Sequence, residues 1–294
     1  MGFKETVNAA LRRTTGYQLQ RQVPRRRPEN LRAGDRLLEA PVFIMCSVRS
    51  GSTLLRVLLN SHSQIHSPHE MHLRDMKVKI RKRYTEKALR EVGLDEERLQ
   101  HLLWDRVLHR ELFESGKRLL VNKTPNDVFI VDEIVRCWPD ARFIFLLRHP
   151  AAIAKSRHAA RPQDSPERNI ATVLRYGVAV EEARRTRPGL TVRYEDLASD
   201  PTRVTKELCS FLGVKWEHHM LDYGRFSHGS YKTGLGDWSE KIKSGRVQPP
   251  KPLPRPDEIP SELLDLTRAW GYLPPENGNG AGLHVPLARP VETA

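Results

Sequence analysis

Short apolar runs alternate with longer helical segments through the middle of the chain. The apolar runs predict four buried strands, at Val42–Cys46, Leu119–Asn122, Arg142–Leu147 and Leu190–Tyr194. Helices are predicted after these strands, at Thr53–Leu59, Asn126–Trp138 and Thr202–Leu212. Because alternating strands and helices are typical of a parallel sheet covered on both faces, the sequence predicts a single-domain, three-layer α/β fold with a central parallel sheet.

The segments outside this pattern divide the chain into three parts. Residues 1–40 form a basic lead-in with nine basic and four acidic side chains. Residues 274–294 contain Asn-Gly-Asn-Gly and are expected to form a disordered tail. The predicted domain therefore covers residues 41–273. Two helical segments, Glu86–Val92 and Glu96–Phe113, fall between the first two predicted strands and predict a helical insertion.

The composition is that of a globular protein. Of the 294 residues, 38% are hydrophobic and 29% are charged, which is enough apolar material for a core and too much for a disordered chain. No apolar run reaches the roughly 18 residues that a membrane-spanning helix needs, and no secretory signal is recognisable. Three widely spaced cysteines fit neither a disulfide framework nor a paired-cysteine metal site. These features favour a cytoplasmic protein.

The formal net charge of +13 indicates an anionic partner. Nucleic acid, a membrane surface and an anionic small molecule all carry the required charge. No homeodomain, zinc-finger or aromatic–basic RNA-binding pattern is present, so nucleic acid is not expected. The basic run Lys77–Arg83 leaves open whether this surface contacts a membrane, contacts an acidic acceptor or is only solvated. The sequence does not indicate an oligomeric state.

A turn of small polar residues follows the first predicted strand. Residues 47–53 read Ser-Val-Arg-Ser-Gly-Ser-Thr and lead into a predicted helix. In such a turn the backbone N–H groups can approach a phosphate closely, and the helix dipole favours its negative charge. Ser50, Ser52 and Thr53 add hydroxyl donors, and Arg49 adds a positive charge. An ordinary capped turn is the alternative, but it gives the arginine no structural purpose.

This turn differs from the Walker A loop of nucleoside triphosphatases. When Gly51 is aligned with the second glycine of G-x-x-x-x-G-K-[ST], Cys46 stands at the first glycine and Ser52 at the lysine. The turn resembles instead the 5′-phosphosulfate loop of the sulfotransferases that use 3′-phosphoadenosine 5′-phosphosulfate (PAPS), which reads [KR]-S-G-[ST]-[ST] after a strand. The resemblance implies a P-loop-like fold in which residues 49–53 bind the nucleotide.

An arginine and a serine follow the third predicted strand. Arg148 stands directly after that strand, and Ser156 lies eight residues further on, in a predicted helix. A guanidinium can bind a phosphate through two parallel hydrogen bonds, and a serine hydroxyl adds one donor. The spacing resembles the R-x7-S motif that binds the 3′-phosphate in the same family. Together the two motifs imply a nucleotide with both a 5′-phosphosulfate and a 3′-phosphate.

Further segments extend the resemblance over most of the chain. Lys123, in Asn-Lys-Thr-Pro, and Tyr194, in Tyr-Glu-Asp-Leu, match segments of the tyrosylprotein sulfotransferases and their bacterial relatives. Trp238, in Gly-Leu-Gly-Asp-Trp, is similar to a residue that covers the nucleotide in cytosolic family members. Those members have basic residues just before the first glycine of this segment. This chain has only one basic residue there, and it is displaced by one position. The cation that completes the 3′-phosphate site is therefore one of three lysines: Lys232, Lys241 or Lys251. Of these, Lys241 is taken as the predicted ligand.

Sulfuryl transfer to a hydroxyl needs a general base, and it needs cations that stabilise charge on the leaving phosphate. Glu70 lies 21 residues after Arg49, close to the position of the catalytic glutamate in tyrosylprotein sulfotransferases. The resemblance therefore implies Glu70 as the base, with Arg49 and Lys123 neutralising the transferring group. His69 and His72 are the alternatives for the base.

Several histidines near Glu70 raise the question of a metal site. The segment His69-Glu-Met-His72 is not H-E-x-x-H, so its histidines lack the i, i+4 spacing that this zinc motif needs, and Pro68 interrupts any helix. No metal is expected, because direct sulfuryl transfer needs none.

The sequence therefore predicts an enzyme that transfers a sulfuryl group from PAPS to a hydroxyl of a small-molecule, lipid, sugar or peptide acceptor. One alternative is an ATP-dependent phosphoryl transferase on a related P-loop-like fold. Another is a basic nucleotide- or membrane-binding module without catalysis. No motif identifies the acceptor, whose pocket is expected between the insertion, residues 71–116, and the C-terminal segments.

Overall fold

Five parallel strands form the centre of the protein in a computed structural model, which describes residues 33–229 and 240–275. The strands are β1 Val42–Cys46, β2 Ile65–His66, β3 Leu119–Asn122, β4 Arg142–Leu147 and β5 Gly189–Arg193. They pair in the order β2-β3-β1-β4-β5, and every pairing is parallel. The four predicted strands are confirmed to within one residue, and the two-residue β2 was not predicted.

Helices follow the strands in the described parts of the chain. Their bounds are α1 Ser52–Asn60, α2 Arg83–Glu91, α3 Glu96–Ser115, α4 Val131–Cys137, α5 Pro150–Ala160, α6 Pro166–Thr186, α7 Tyr194–Ser199, α8 Pro201–Leu212, α9 Glu240–Lys243 and α10 Leu264–Ala269. The helix predicted at Asn126–Trp138 begins instead with a 3-10 helix, Pro125–Ile130, which continues into α4. Helix α6 was not predicted.

The sheet is buried on both faces. Along β1, Phe43 and Met45 belong to one core cluster, whereas Val42, Ile44 and Cys46 belong to the other. Because successive side chains point to opposite faces, a strand in this position must be apolar throughout. Helices α3, α4, α5, α6 and α10 contribute to the first cluster, and α1, α7 and α8 contribute to the second. This arrangement confirms the three-layer α/β fold.

The helical insertion between β2 and β3 has two different parts. Helix α2 has no buried residue and lies on the surface. Helix α3 buries Trp104 and Leu108 in the core beside the sheet. The longer insertion helix therefore belongs to one of the helical layers.

The segments that follow β1 and β4 meet at one edge of the sheet. These strands are neighbours, and their register aligns Cys46 with Leu146. The polar turn after β1 and the arginine after β4 consequently lie side by side. Parallel sheets bind their ligands at this edge, outside the carboxyl ends of the strands.

Some predictions fall outside the described residues. They are the disordered tail beyond residue 275, most of the basic lead-in, and the segment that contains Lys232 and Trp238. Among the residues that the structure does describe, no helix has the length and apolar character needed to cross a membrane.

Candidate active site

The turn after β1 has the backbone shape of an anion site. Arg49 and Gly51 both adopt the left-handed conformation, with φ of 63° and 86°, on either side of Ser50. Alternation of this kind turns successive backbone N–H groups toward one concave side. Gly51 is also the N-cap of α1, and no side chain caps this helix end. The first N–H groups of α1 are therefore available to an anion.

Tyr194 supports both predicted phosphate motifs. A Cβ on residue 51 would lie 2.2 Å from Cδ2 of Tyr194, so the turn approaches the ring as only a glycine can. The guanidinium of Arg148 lies over the same ring, with Cζ 4.4 Å from its centroid. One aromatic ring therefore packs against the turn after β1 and the arginine after β4.

Two hydrogen bonds join the motifs directly. Arg148 Nη1 donates to the carbonyl oxygen of Arg49 at 2.8 Å, and Arg49 Nε donates to Ser156 Oγ at 3.4 Å. Burial lowers the pKa of the Arg148 guanidinium, whose Nε has no hydrogen-bond partner within the described ranges. A guanidinium has five N–H donors, so Arg148 retains donors for the acceptor oxygens of a ligand.

A cavity of about 890 Å³ opens beside these residues. Its volume suits a cofactor-sized ligand, since such sites span roughly 300–1,000 Å³. Two acidic side chains line it, Glu195 and Glu258. Seven basic side chains line it: Arg49, Arg148, Lys155, Lys241, Arg246, Lys251 and Arg255. The excess of positive charge fits a ligand with several anionic groups.

The hydroxyl side chains of the turn after β1 differ in whether they reach the cavity. Ser52 and Thr53 line the cavity, as the sequence predicts. Ser50 is fully buried, and its hydroxyl donates to the carbonyl oxygen of Ser47 at 2.7 Å. The Ser50 side chain therefore holds the shape of the turn.

The structure brings Lys241 and Lys251 to the cavity and adds Arg246, which the sequence analysis missed. No motif marks Arg246. Its position depends on a tight contact between Gly224 and Gly245, because a Cβ on Gly245 would lie 2.7 Å from the Cα of Gly224. Only the three-dimensional structure shows this approach.

Glu70 and Lys123 form a second cluster. Their side chains form an ion pair in which Lys123 is fully buried and Glu70 is 15% exposed. His72 Nε2 lies 3.8 Å from the second carboxylate oxygen of Glu70. Burial raises the pKa of the Cys46 thiol to about 11, and the nearby charges of Lys123 and Glu70 shift it in opposite directions. The ion pair therefore lies close to the start of the turn after β1, although neither residue lines the cavity described above.

A buried carboxyl that the sequence analysis missed lies beside this pair. Asp127 is 1% exposed and accepts a hydrogen bond from Asn122 Nδ2 at 2.6 Å. Burial, followed by the charge of Glu70, raises the pKa of Asp127 well above its usual range. In the described part of the chain, Oδ1 of Asp127 and Oδ1 of Asn122 both lack a partner. A proton on Oδ1 of Asp127 would turn this atom into a donor, for which Oδ1 of Asn122 is a candidate acceptor.

The histidines near Glu70 make ordinary structural contacts. His62 Nε2 lies 2.8 Å from the carbonyl oxygen of Lys215, and His69 Nδ1 lies 3.2 Å from the carbonyl oxygen of Glu70. Across residues 33–229 and 240–275, no group of three histidine, cysteine or acidic residues is arranged to hold a metal ion.

A sequence-family profile matches more than half of the chain. Residues 41–218 match the profile described as the sulfotransferase family. Over 199 residues the chain is 22% identical to protein-tyrosine sulfotransferase 2 of Gallus gallus, an alignment that covers 62% of this chain and 53% of that protein. The chain thus spans about half the length of this curated relative.

Two solved structures share the fold. The sulfotransferase domain of the Synechococcus PCC 7002 olefin synthase is 25% identical, with a TM-score of 0.59, over 82% of this chain and 98% of that domain. The sulfotransferase domain from the curacin biosynthetic pathway is also 25% identical, with a TM-score of 0.56, over 81% of this chain and 99% of that domain. Both similarities extend over nearly the whole of the solved domain.

Proposed function

The chain belongs to the sulfotransferase family, and on that premise we propose that it transfers the sulfuryl group of PAPS to a hydroxyl of an acceptor. The observation that carries this proposal is the direct connection between the two phosphate motifs. Arg148 donates to the backbone of Arg49, Arg49 donates to Ser156, and all three residues line one cavity. A single ligand with two anionic ends, such as PAPS, can therefore contact both motifs.

Each end of the donor has its own set of contacts. The 5′-phosphosulfate binds at residues 49–53 and at the N-terminus of α1, where backbone N–H groups and the Arg49 side chain offset its charge. The 3′-phosphate binds Arg148 and Ser156. The candidates that complete this second set all line the cavity: Lys241, Arg246 and Lys251.

Chemistry takes place on the side of the turn where Glu70 and Lys123 lie. Glu70 accepts the proton of the acceptor hydroxyl while the hydroxyl oxygen forms a bond to sulfur. The bond from sulfur to the bridging oxygen breaks, and adenosine 3′,5′-bisphosphate (PAP) leaves with the electron pair. Lys123 and Arg49 stabilise the negative charge that develops on the transferring group and the leaving phosphate.

Ligand-dependent melting tests the choice of nucleotide. A ligand that binds only the folded protein raises its melting temperature by an amount that depends on concentration and affinity. We expect PAP to raise it much more than ATP with Mg²⁺ does. A larger effect of ATP with Mg²⁺ would indicate phosphoryl transfer. No effect of either nucleotide, together with binding to anionic vesicles, would indicate a binding module instead.

A Glu70→Gln variant tests the base. It should lose turnover of radiolabelled PAPS at least 100-fold and keep the affinity for PAP, because Glu70 does not line the cavity. The change leaves the buried Lys123 without its ion pair, so the double variant Glu70→Gln/Lys123→Met serves as the folding control. Glu111→Gln is the matched control, since Glu111 lies 3.6 Å from another histidine, His66. Parallel loss of PAP binding and turnover in Glu70→Gln would remove this residue from the role of base.

A further inference from the structure

Two arginines contact one phenylalanine ring near the proposed site of transfer. The guanidinium of Arg74 lies 5.0 Å from the centroid of Phe129, and that of Arg175 lies 4.8 Å from it. Phe129 also packs against Tyr176, with ring centroids 4.8 Å apart. Arg74, Phe129 and Arg175 are called the Phe129 cluster below. They come from three separate segments of the chain and meet only in the folded protein.

The Phe129 cluster adjoins the residues proposed for chemistry. Arg74 follows Glu70 by four residues, so their Cα atoms are at most about 14 Å apart. Phe129 lies in the 3-10 helix that begins directly after Lys123 and Thr124. The hydroxyl of Thr124 accepts hydrogen bonds from two backbone N–H groups of the Glu70 loop, at 3.1 and 3.4 Å. These bonds hold the two segments together.

Among the residues that the structure describes, no carboxylate pairs with the arginines of the Phe129 cluster. In the described ranges, neither Arg74 nor Arg175 forms an ion pair, whereas the neighbouring Arg157 pairs with Asp164 at 3.1 Å. Burial raises the pKa of the Tyr176 hydroxyl, and Arg175, Arg74 and Arg157 act to lower it. Arg175 is exposed and Arg74 is partly exposed, so both guanidiniums can be reached by an anion from solution.

We propose that the Phe129 cluster binds an anionic group of the acceptor, a carboxylate or a phosphate, so that the substrate is an alcohol with a negative charge at its far end. Guanidinium groups bind both anions through paired hydrogen bonds, and Phe129 holds the two guanidiniums in place. The inference rests on the proposed function, because Glu70 defines where the hydroxyl lies. It assigns the acceptor class, which no sequence motif indicates.

Binding of matched alcohols tests this subsite. The probes are ω-hydroxyalkanoates of about four to ten carbons, the corresponding ω-hydroxyalkyl phosphates and the neutral ω-hydroxy amides. Isothermal titration at constant ionic strength, with and without PAP, gives their affinities. We expect wild type to bind the carboxylate or the phosphate at least tenfold more tightly than the amide at one or more chain lengths. The favoured anion distinguishes a carboxylate acceptor from a phosphate acceptor.

Variants that remove positive charge show which residues cause the preference for an anionic alcohol. The double variant Arg74→Gln/Arg175→Gln should reduce the preference for the anionic alcohol over the amide below threefold. An unchanged melting temperature would show that this variant is folded. Arg106→Gln/Arg110→Gln removes two charges from the exposed side chains of α3 and should keep the preference. The proposal is wrong if wild type shows no preference at any length, if the Phe129 cluster variant keeps it, or if the α3 variant also loses it. Failure of PAP to bind would contradict the proposed function alone, because the titrations without PAP still measure the preference.

Discussion

Alanine at residue 51 tests whether the turn after β1 is shaped for the nucleotide. Gly51 has a φ of 86°, a conformation that costs a non-glycine residue about 1–2 kcal/mol. The new Cβ would also lie 2.2 Å from the Tyr194 ring and displace it from Arg148. The lost cation–π contact adds up to about 2 kcal/mol, so Gly51→Ala should lower the free energy of unfolding by about 1–4 kcal/mol. Because Arg148 loses the support of the Tyr194 ring, the affinity for PAP should fall by about 10–30-fold.

Gly213 provides the matched control for this change. It has a φ of 73° at the end of α8, and a Cβ there would meet no atom within 4 Å. Gly213→Ala therefore has only the cost of the backbone conformation, about 1–2 kcal/mol, and should leave the affinity for PAP unchanged. Urea denaturation gives the free energy of unfolding of both variants, and isothermal titration gives the affinity for PAP.

The comparison between the two variants can refute the reasoning. Equal losses of stability, with wild-type affinity for PAP in both variants, would show that Tyr194 does not couple the turn to Arg148. The nucleotide would then bind elsewhere. A loss of PAP affinity in Gly213→Ala as large as in Gly51→Ala would show that general destabilisation, and not the local contact, weakens binding.

Two further changes test the site from other directions. Arg148→Ala should weaken PAP binding by about 1.5–3 kcal/mol in isothermal titration. The control Lys155→Ala removes an exposed lysine that pairs with Glu258 on the same cavity, and it should have a much smaller effect. Similar losses of PAP affinity in the two variants would contradict the role of Arg148. The raised pKa of Asp127 means that the folded protein keeps a proton that the unfolded chain loses above about pH 3.9, so stability falls as the pH rises from there through the folded-state pKa. Asp127→Asn should flatten this dependence in urea denaturation between about pH 4 and 8, and an unchanged slope would contradict the assignment.

The strands could be predicted, and the two proposed nucleotide motifs could be located, because their signals are local. Strands buried on both faces are continuous apolar runs, and β1, β3 and β4 have the predicted bounds. The two motifs each follow one of these strands within ten residues, and the parallel pairing of β1 with β4 brings them together. Secondary structure and strand order are therefore enough to predict that Arg49 and Arg148 are neighbours.

The missed elements had weaker or longer-range signals. The strand β2 has only two residues, too few for any periodicity to appear. Helix α6 did have a signal, since Ser165 caps it and Pro166 is its first residue. Asp127 could not be identified as a buried carboxyl, because its hydrogen bond to Asn122 and the nearby charge of Glu70 depend on tertiary packing.

The donor and acceptor sides of the site differ in how the sequence encodes them. The proposed donor contacts at residues 49–53 and at Arg148 and Ser156 lie in short contiguous segments, which a local sequence pattern can reveal. The Phe129 cluster joins residues about fifty positions apart, on the Glu70 loop, the 3-10 helix before α4 and the helix α6. Neither Arg74 nor Arg175 lines the cavity proposed for the nucleotide. We therefore expect substitutions at these two positions to change the preferred acceptor and to leave PAPS binding unaltered, and the acceptor class must be inferred from the folded structure.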